Sequence, residues 1–152
     1  MRRKEKYIVN LIYNNPYLII GEHPLLIKKK TEVAIKPVGR ADMVFTLKSA
    51  IFIVEVKRDI LKTRVVDQVI RYIDAFKADE HEDVRGFIIG EKPYDCSKLT
   101  AYLELNNSYR IKPLFLDYDI PLKCTRCYKC NRINFVDADK CRWCGEVLIK
   151  IW

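Results

Sequence analysis

The chain has 152 residues, 49% of them apolar, with a formal charge of +8 and a pI near 9.2. That content suffices for one packed domain with a small appendage, and it excludes a disordered chain; no stretch reaches the roughly 18 uninterrupted apolar residues of a membrane-spanning helix. The basic balance favours a polyanionic partner, nucleic acid above all.

Along the chain, residues 3 to 14 place Tyr7, Ile8, Leu11 and Ile12 at helical spacing, and Asn14-Asn15-Pro16 ends that helix. The same asparagines and proline interrupt the apolar stretch behind the basic start. A signal peptide is therefore not expected, and the chain reads as cytoplasmic, in a reducing compartment. Lys28, Lys29 and Lys30 form a basic loop, followed by a short strand from Thr31 to Ile35 and a turn at Pro37 to Gly39. A hairpin then runs through Asp42 to Lys57. Residues 63 to 78 carry Val65, Val66, Val69, Ile70, Ile73 and Phe76, the stripe of an amphipathic helix. Arg85 to Gly90 reads as a strand, Ser97 to Asn106 as a helix and Ile111 to Leu116 as a last strand. This order predicts a mixed α/β sheet flanked by helices over residues 1–119, with Pro121 at the boundary of a small module spanning 120–152.

The hairpin carries the chemistry. Ile51 to Val56 is apolar on both faces except for Glu55, so the strand should be buried on both sides, where a carboxylate needs a reason to sit. Alternation puts Glu55 and Lys57 on one face. If the strands pair around Lys48-Ser49 so that opposed residue numbers sum to 97, Asp42 faces Glu55 and Phe45 faces Phe52. Two carboxylates opposed at about 5 Å repel unless a proton or cation lies between them. A divalent metal such as Mg²⁺ or Mn²⁺ resolves that conflict, with Asp42 and Glu55 as hard oxygen ligands and the Val56 carbonyl as a further one. Lys57 is placed to hold an attacking water. Gln68 and Tyr72, four apart on the long helix, and Glu5 on the first helix could reach the edge of the same site. This is the residue set of a metal-dependent phosphodiesterase; the opposing expectation is a solvated strand end with Asp42 as a turn residue.

These residues resemble the PD-(D/E)XK nuclease superfamily, with its restriction-endonuclease-like fold. Over residues 5 to 118 the chain is similar to the catalytic domain of NucS/EndoMS-type archaeal endonucleases. The matching segments are Asn15-Pro16, Gly39-Arg40-Ala41-Asp42, Val54 to Arg58, Gln68 with Tyr72, and Val84-Arg85-Gly86. The resemblance implies a metal-dependent endodeoxyribonuclease that leaves 5′-phosphate and 3′-hydroxyl ends, in DNA repair, recombination or the processing of branched or mismatched DNA. It implies Asp42 and Glu55 as metal ligands, Lys57 in catalysis, and Gln68 and Glu5 around the site. The N-terminal DNA-binding and dimerising domain of those enzymes has no counterpart among these residues, so their substrate preference does not carry across.

Cys127-x₂-Cys130-x₁₀-Cys141-x₂-Cys144 has the spacing of a tetrahedral Zn²⁺ site built from two knuckles, as in a zinc ribbon. Asn131 and Gly145 follow the second cysteine of each pair, where a tight turn needs a left-handed residue. Cys124 competes with Cys130 for the first knuckle, but Tyr128 would then take the strained position. Cys124 is expected to be a spare thiol and Cys96 a core residue. Residues 120 to 152 hold seven Lys or Arg against three Asp or Glu, and four thiolates on Zn²⁺ leave the module modestly basic. Its Lys129, Arg132, Lys140 and Arg142, with Trp143 or Tyr128 stacking on a base, could dock DNA; equally, the aromatics could fill a tiny core. Elsewhere Arg2-Arg3-Lys4, Lys28, Lys29, Lys30 and Arg40 could grip phosphates. His23 and His81 make no convincing ligand set. The expected partners are DNA (single-stranded, branched or mismatched), a protein on the ribbon, and a second copy in a homodimer. The competing function is a non-catalytic adaptor that binds nucleic acid or protein through the ribbon.

Overall fold

The computed structural model describes residues 3–21, 26–79 and 83–149. Arg2, the Arg3 side chain, His23 and His81, considered above, lie outside them. Helix α1 (Arg3–Asn14) buries Ile8, Val9 and Ile12, the stripe its sequence displays. It stops where Asn15 Nδ2 donates to the Leu11 carbonyl at 2.8 Å, and a short α2 (Tyr17–Ile20) restarts at Pro16, whose φ of −59° suits a first helical turn.

Strands β1 (Leu26–Ile35), β2 (Gly39–Leu47) and β3 (Ile51–Ile60) form an antiparallel meander. Helix α3 (Thr63–Ala78) leads to β4 (Val84–Glu91), and α4 (Ser97–Leu105) leads to β5 (Ile111–Phe115); β4 and β5 extend the sheet in parallel, in the order β1-β2-β3-β4-β5. The β2–β3 register pairs Met43 with Val54, Val44 with Ile53 and Phe45 with Phe52, so opposed numbers sum to 97 as the hairpin reading requires.

Both faces of the sheet are covered. Val54 and Val56 point into a core with α1, alongside Met43, Phe45 and Ile89; Ile53 points the other way, with Val44 and Ile88, against Val65, Val66, Val69 and Ile73 of α3. Helix α3 lies so close to β4 that a Cβ on Gly86 would stand 2.6 Å from Val69 Cγ1. The lysine run corrects the loop expectation: Lys28, Lys29 and Lys30 lie within β1, which begins at Leu26 rather than Thr31. As an edge strand, β1 needs only backbone pairing to β2, and its exposed Lys28 and Lys30 blunt the open edge. Cys96 is half-buried at the α4 N-terminus, with Sγ 3.5 Å from the Pro93 carbonyl, rather than in the core.

Residues 120–149 carry a two-stranded hairpin, β6 (Cys124–Arg126) and β7 (Ile133–Phe135), seated on α1 and α2. Ile133 is buried in the α1-side core. Tyr17 Oη accepts from the Ile133 N–H at 2.8 Å and donates to Asn15 Oδ1 at 3.0 Å. Trp143 packs edge-on against Tyr17 and donates its Nε1–H to the Ile133 carbonyl at 2.9 Å. Trp143 therefore fills the joint; of the two aromatics considered for base stacking, only Tyr128 is exposed. Among the described residues, no helix is long and apolar enough to cross a membrane.

Candidate active site

The β2–β3 ladder stops at Met43 and Val54, and beyond it carboxylates take over the backbone bonds. The Asp42 N–H donates to Glu55 Oε1 at 3.3 Å, and the Val56 N–H donates to Asp42 Oδ2 at 2.7 Å. The β3–β4 pairing breaks between Val56 and Ile60, which frees Lys57 from the ladder. Its Nζ lies 3.2 Å from Glu55 Oε2. Asp42, Glu55, Lys57 and the Val56 backbone thus form one cluster at the carboxyl end of β3.

Electrostatics follow from that burial. Glu55 is 3% exposed, and its carboxyl is pushed up to about 7 by burial first and by the Asp42 charge second, against a partial offset from Lys57. Asp42 is half-buried and also raised: burial and Glu5 act upward, while the Val56 N–H and Lys57 act downward. A buried and a half-buried carboxyl that both resist ionising, served by a single ammonium, make a donor set that fits a hard divalent cation.

Glu5 reaches the site from α1, where Oε1 accepts from the Arg58 N–H at 3.3 Å. With Lys57, Asp59, Ile60, Lys62, Arg64, Val65 and Gln68 it lines an open cleft of about 300 Å³. Tyr72 lies behind this cleft. Its hydroxyl accepts from Gln68 Nε2 at 3.0 Å and donates to the Arg40 carbonyl at 3.0 Å, tying α3 to β2. A Cβ on Gly39 would come within 3.3 Å of that hydroxyl, and Gly39 sits at φ +153°, so glycine suits this position on both counts. The Arg40 side chain is exposed on β2. Lys28 and Lys30 project side by side from β1, and the Lys30 ammonium pulls the Lys28 pKa down. Lys29 instead donates to the Tyr13 carbonyl at 2.9 Å and covers that ring. Arg142 stacks on Trp143 with Nη1 3.3 Å from the Asp119 carbonyl, at the joint between hairpin module and main sheet. Asp59, Lys62 and Arg64 line the cleft from outside the set of candidate site residues. Their signal was the charged run directly behind Glu55-Val56-Lys57, since ligands of open α/β sheets gather at the carboxyl ends of strands.

The four predicted cysteines converge, with all four sulfurs within 4.8 Å of one another. Cys127 to Cys144 and Cys130 to Cys141 are each 3.6 Å, close to the ~3.8 Å edge of a tetrahedron with 2.3 Å Zn–S bonds. Asn131 (φ 63°) and Gly145 (φ 79°) take the left-handed turns. Their N–H groups donate to the Cys127 and Cys141 carbonyls, each at 2.9 Å. Buried Asn134 donates to Cys141 Sγ at 3.4 Å, while its Oδ1 accepts from the Arg142 N–H. Burial pushes the Cys141 thiol up, but the Cys144 and Trp143 N–H groups and the Asn134 amide outweigh it and bring it to about 6. The donor set fits Zn²⁺. Cys124 pairs with Phe135 in the hairpin, outside the cluster.

No family model and no curated protein sequence matches this chain. Solved structures do. A repair endonuclease from Pyrococcus abyssi superposes with a TM-score of 0.60 and 26% identity over 76% of this chain and 47% of its own. An EndoMS–dsDNA complex gives 0.54 and 19%, over 73% of this chain and 44% of that one. The small subunit of the heterodimeric restriction endonuclease R.BspD6I gives 0.51 and 13%, over 74% and 63%. The chain thus spans less than half the length of the first two. Its five-stranded mixed sheet flanked by helices is the fold of these repair- and restriction-endonuclease chains, and its C-terminal cysteine cluster fits a zinc ribbon.

Proposed function

We propose that this protein is a Mg²⁺- or Mn²⁺-dependent DNA endonuclease of DNA repair or of branched- or mismatched-DNA processing, with residues 1–119 as the nuclease domain and 120–152 as the zinc ribbon. The observation that carries this reading is the Asp42–Glu55 pair, with Lys57 3.2 Å from Glu55 and itself on the wall of a cleft that also holds Glu5, Lys62, Arg64 and Gln68. The neighbours of this fold, among them a repair endonuclease and a DNA complex, support it.

Asp42 and Glu55 would hold the divalent ion, with the Val56 carbonyl as a further ligand. Bound there, the ion would neutralise the scissile phosphate and favour hydroxide over water. Lys57 hydrogen-bonds the attacking water and offsets negative charge building on the phosphate. Glu5 and Gln68, on opposite walls of the cleft, orient that water and the phosphate oxygens. Tyr72 keeps α3 at the distance from β2 that this arrangement needs. In-line attack on phosphorus with departure of the 3′ oxygen leaves 5′-phosphate and 3′-hydroxyl ends. Arg40, Lys28 and Lys30 lie on the meander as backbone contacts, and Cys127, Cys130, Cys141 and Cys144 hold Zn²⁺. A protein partner on the ribbon is a second reading, favoured by exposed Tyr128, Val147 and Ile149.

The test is cleavage of end-labelled single-stranded, duplex, flapped and mismatched DNA with Mn²⁺ present or omitted, beside Glu55→Ala and Lys57→Ala. Metal-dependent cutting lost in both variants is expected. Cutting that persists in both would discard this centre, and retention of DNA in a gel shift without cutting by any form would favour the adaptor.

A further inference from the structure

A second cleft, of about 490 Å³, lies beside the proposed catalytic one and shares Ile60, Lys62 and Arg64 with it. Lys98, in the first turn of α4, lines the second cleft only. No ion pair among the described residues involves Lys62, Arg64 or Lys98. Three like charges around one concave space repel one another, and their field is focused on any anion that enters. The far wall is the connection from β4 to α4, with Pro93 and Asp95. Asp95 is the one carboxylate in the lining, and its Oδ1 accepts from the Ser97 N–H at 2.9 Å. Three cations and one carboxylate leave the lining with a formal charge of +2.

A phosphodiester inside a strand carries one negative charge, whereas a terminal phosphate monoester carries nearly two at neutral pH. The monoester matches this lining. A strand that ran on past the cleft would also bring its next phosphate towards the Asp95 carboxylate on the far wall, which a strand that ends in the cleft avoids. The cut proposed for the neighbouring cleft leaves a 5′-phosphate, so ends of this kind arise one shared wall away. We propose that the second cleft is a subsite for the 5′-terminal phosphate of a DNA strand, held by Lys62, Arg64 and Lys98. The substrate class is then a strand that already ends in a 5′-phosphate, as at a nick or break left by an earlier phosphodiester hydrolysis. The inference rests on the nuclease reading for its link to cleavage, but the subsite itself is a binding property.

Binding is therefore the readout. The full zinc-loaded chain, without added Mg²⁺ or Mn²⁺, is titrated by fluorescence anisotropy into an internally labelled short duplex that ends in hydroxyls only, in 5′-phosphates or in 3′-phosphates. The 5′-phosphate duplex should bind about 10-fold tighter than the hydroxyl one, the scale of one charge-assisted contact. Lys98→Gln should cut that ratio to below about 3-fold while affinity for the hydroxyl duplex stays within about 2-fold, and Lys98→Arg should keep the wild-type ratio. Arg64→Gln should lower the ratio as well. Both side chains are exposed, so these variants should fold, and their melting curves check it. Equal affinity for phosphate and hydroxyl ends overturns the subsite, as does an equal gain from 3′-phosphates or a 5′-phosphate preference that survives both Gln substitutions. If the predicted preference appears and is lost in the variants but no DNA is cut under any metal, the subsite stands and the hydrolytic reading falls. If DNA is cut and no end preference appears, only the subsite falls.

Discussion

A carboxyl held at about 7, as Glu55 is by burial and by Asp42, makes the metal-free fold sensitive to pH. Because the folded value is raised, the group's contribution to stability is complete below the unfolded value near 4.5 and is lost as pH rises through about 7. Thermal melts of zinc-loaded protein without Mg²⁺ or Mn²⁺ should therefore show higher stability at pH 5.5 than at pH 8, by on the order of 2 kcal/mol. Glu55→Gln should flatten that difference, raise stability at pH 8 and abolish metal-dependent cleavage, the trade expected where a centre is built from mutually repelling groups. Because protons compete with the divalent ion for the same oxygens, wild-type cleavage should climb as pH passes through about 7. The acids and Lys57 were legible because a charge in a two-faced apolar strand is conspicuous. Lys62 and Arg64 were not, since a charge at the start of a helix looks like any solvated residue until the cleft beside it is known.

At the level of elements, the close approach of α3 to β4 positions the cleft, because α3 carries Gln68 on its wall and Tyr72 behind it. Gly86→Ala would put a methyl 2.6 Å from Val69 Cγ1, so α3 must lift or β4 must shift. A loss of about 1–3 kcal/mol is expected in denaturant melts, with cleavage falling as α3 moves off the sheet. A near-neutral change in both would show that α3 adjusts without consequence. Helices α1 and α3 were readable from their apolar stripes, as was β3 from its continuous apolar run. Strand β1 was hidden: as an edge it needs no inward apolar periodicity, and Lys28 to Lys30 read as a loop until its pairing with β2 is seen.

Across the whole molecule, the cysteine module shares a core with the helix that carries Glu5. Ile133 lies among Ile8, Val9 and Ile12, and Tyr17 hydrogen-bonds across the joint. So small a hairpin buries too little to fold alone, so its metal should support that shared core as well. Cys141→Ser should lose the bound zinc, lower the melting temperature of the entire chain and reduce cleavage. Cys124→Ser should keep one zinc per chain, measured by metal analysis. An unchanged melting temperature on zinc loss would mean that the two parts fold independently. The cysteine spacing alone marked the four sulfurs that converge, because a pair of two-residue knuckles leaves little freedom in where they point.

By itself the sequence determined helices α1, α3 and α4, strands β3 to β5, the hairpin register, the acid–acid–lysine set and the cysteine quartet, all of which follow from local periodicity and short spacings. Only the tertiary structure decided that Trp143 belongs to a joint rather than to a DNA surface. It also decided that Tyr72 ties α3 to β2, and that Lys62, Arg64 and Lys98 border a groove. Those placements depend on contacts between residues tens of positions apart, which arise when the sheet and helices pack and which no local pattern encodes.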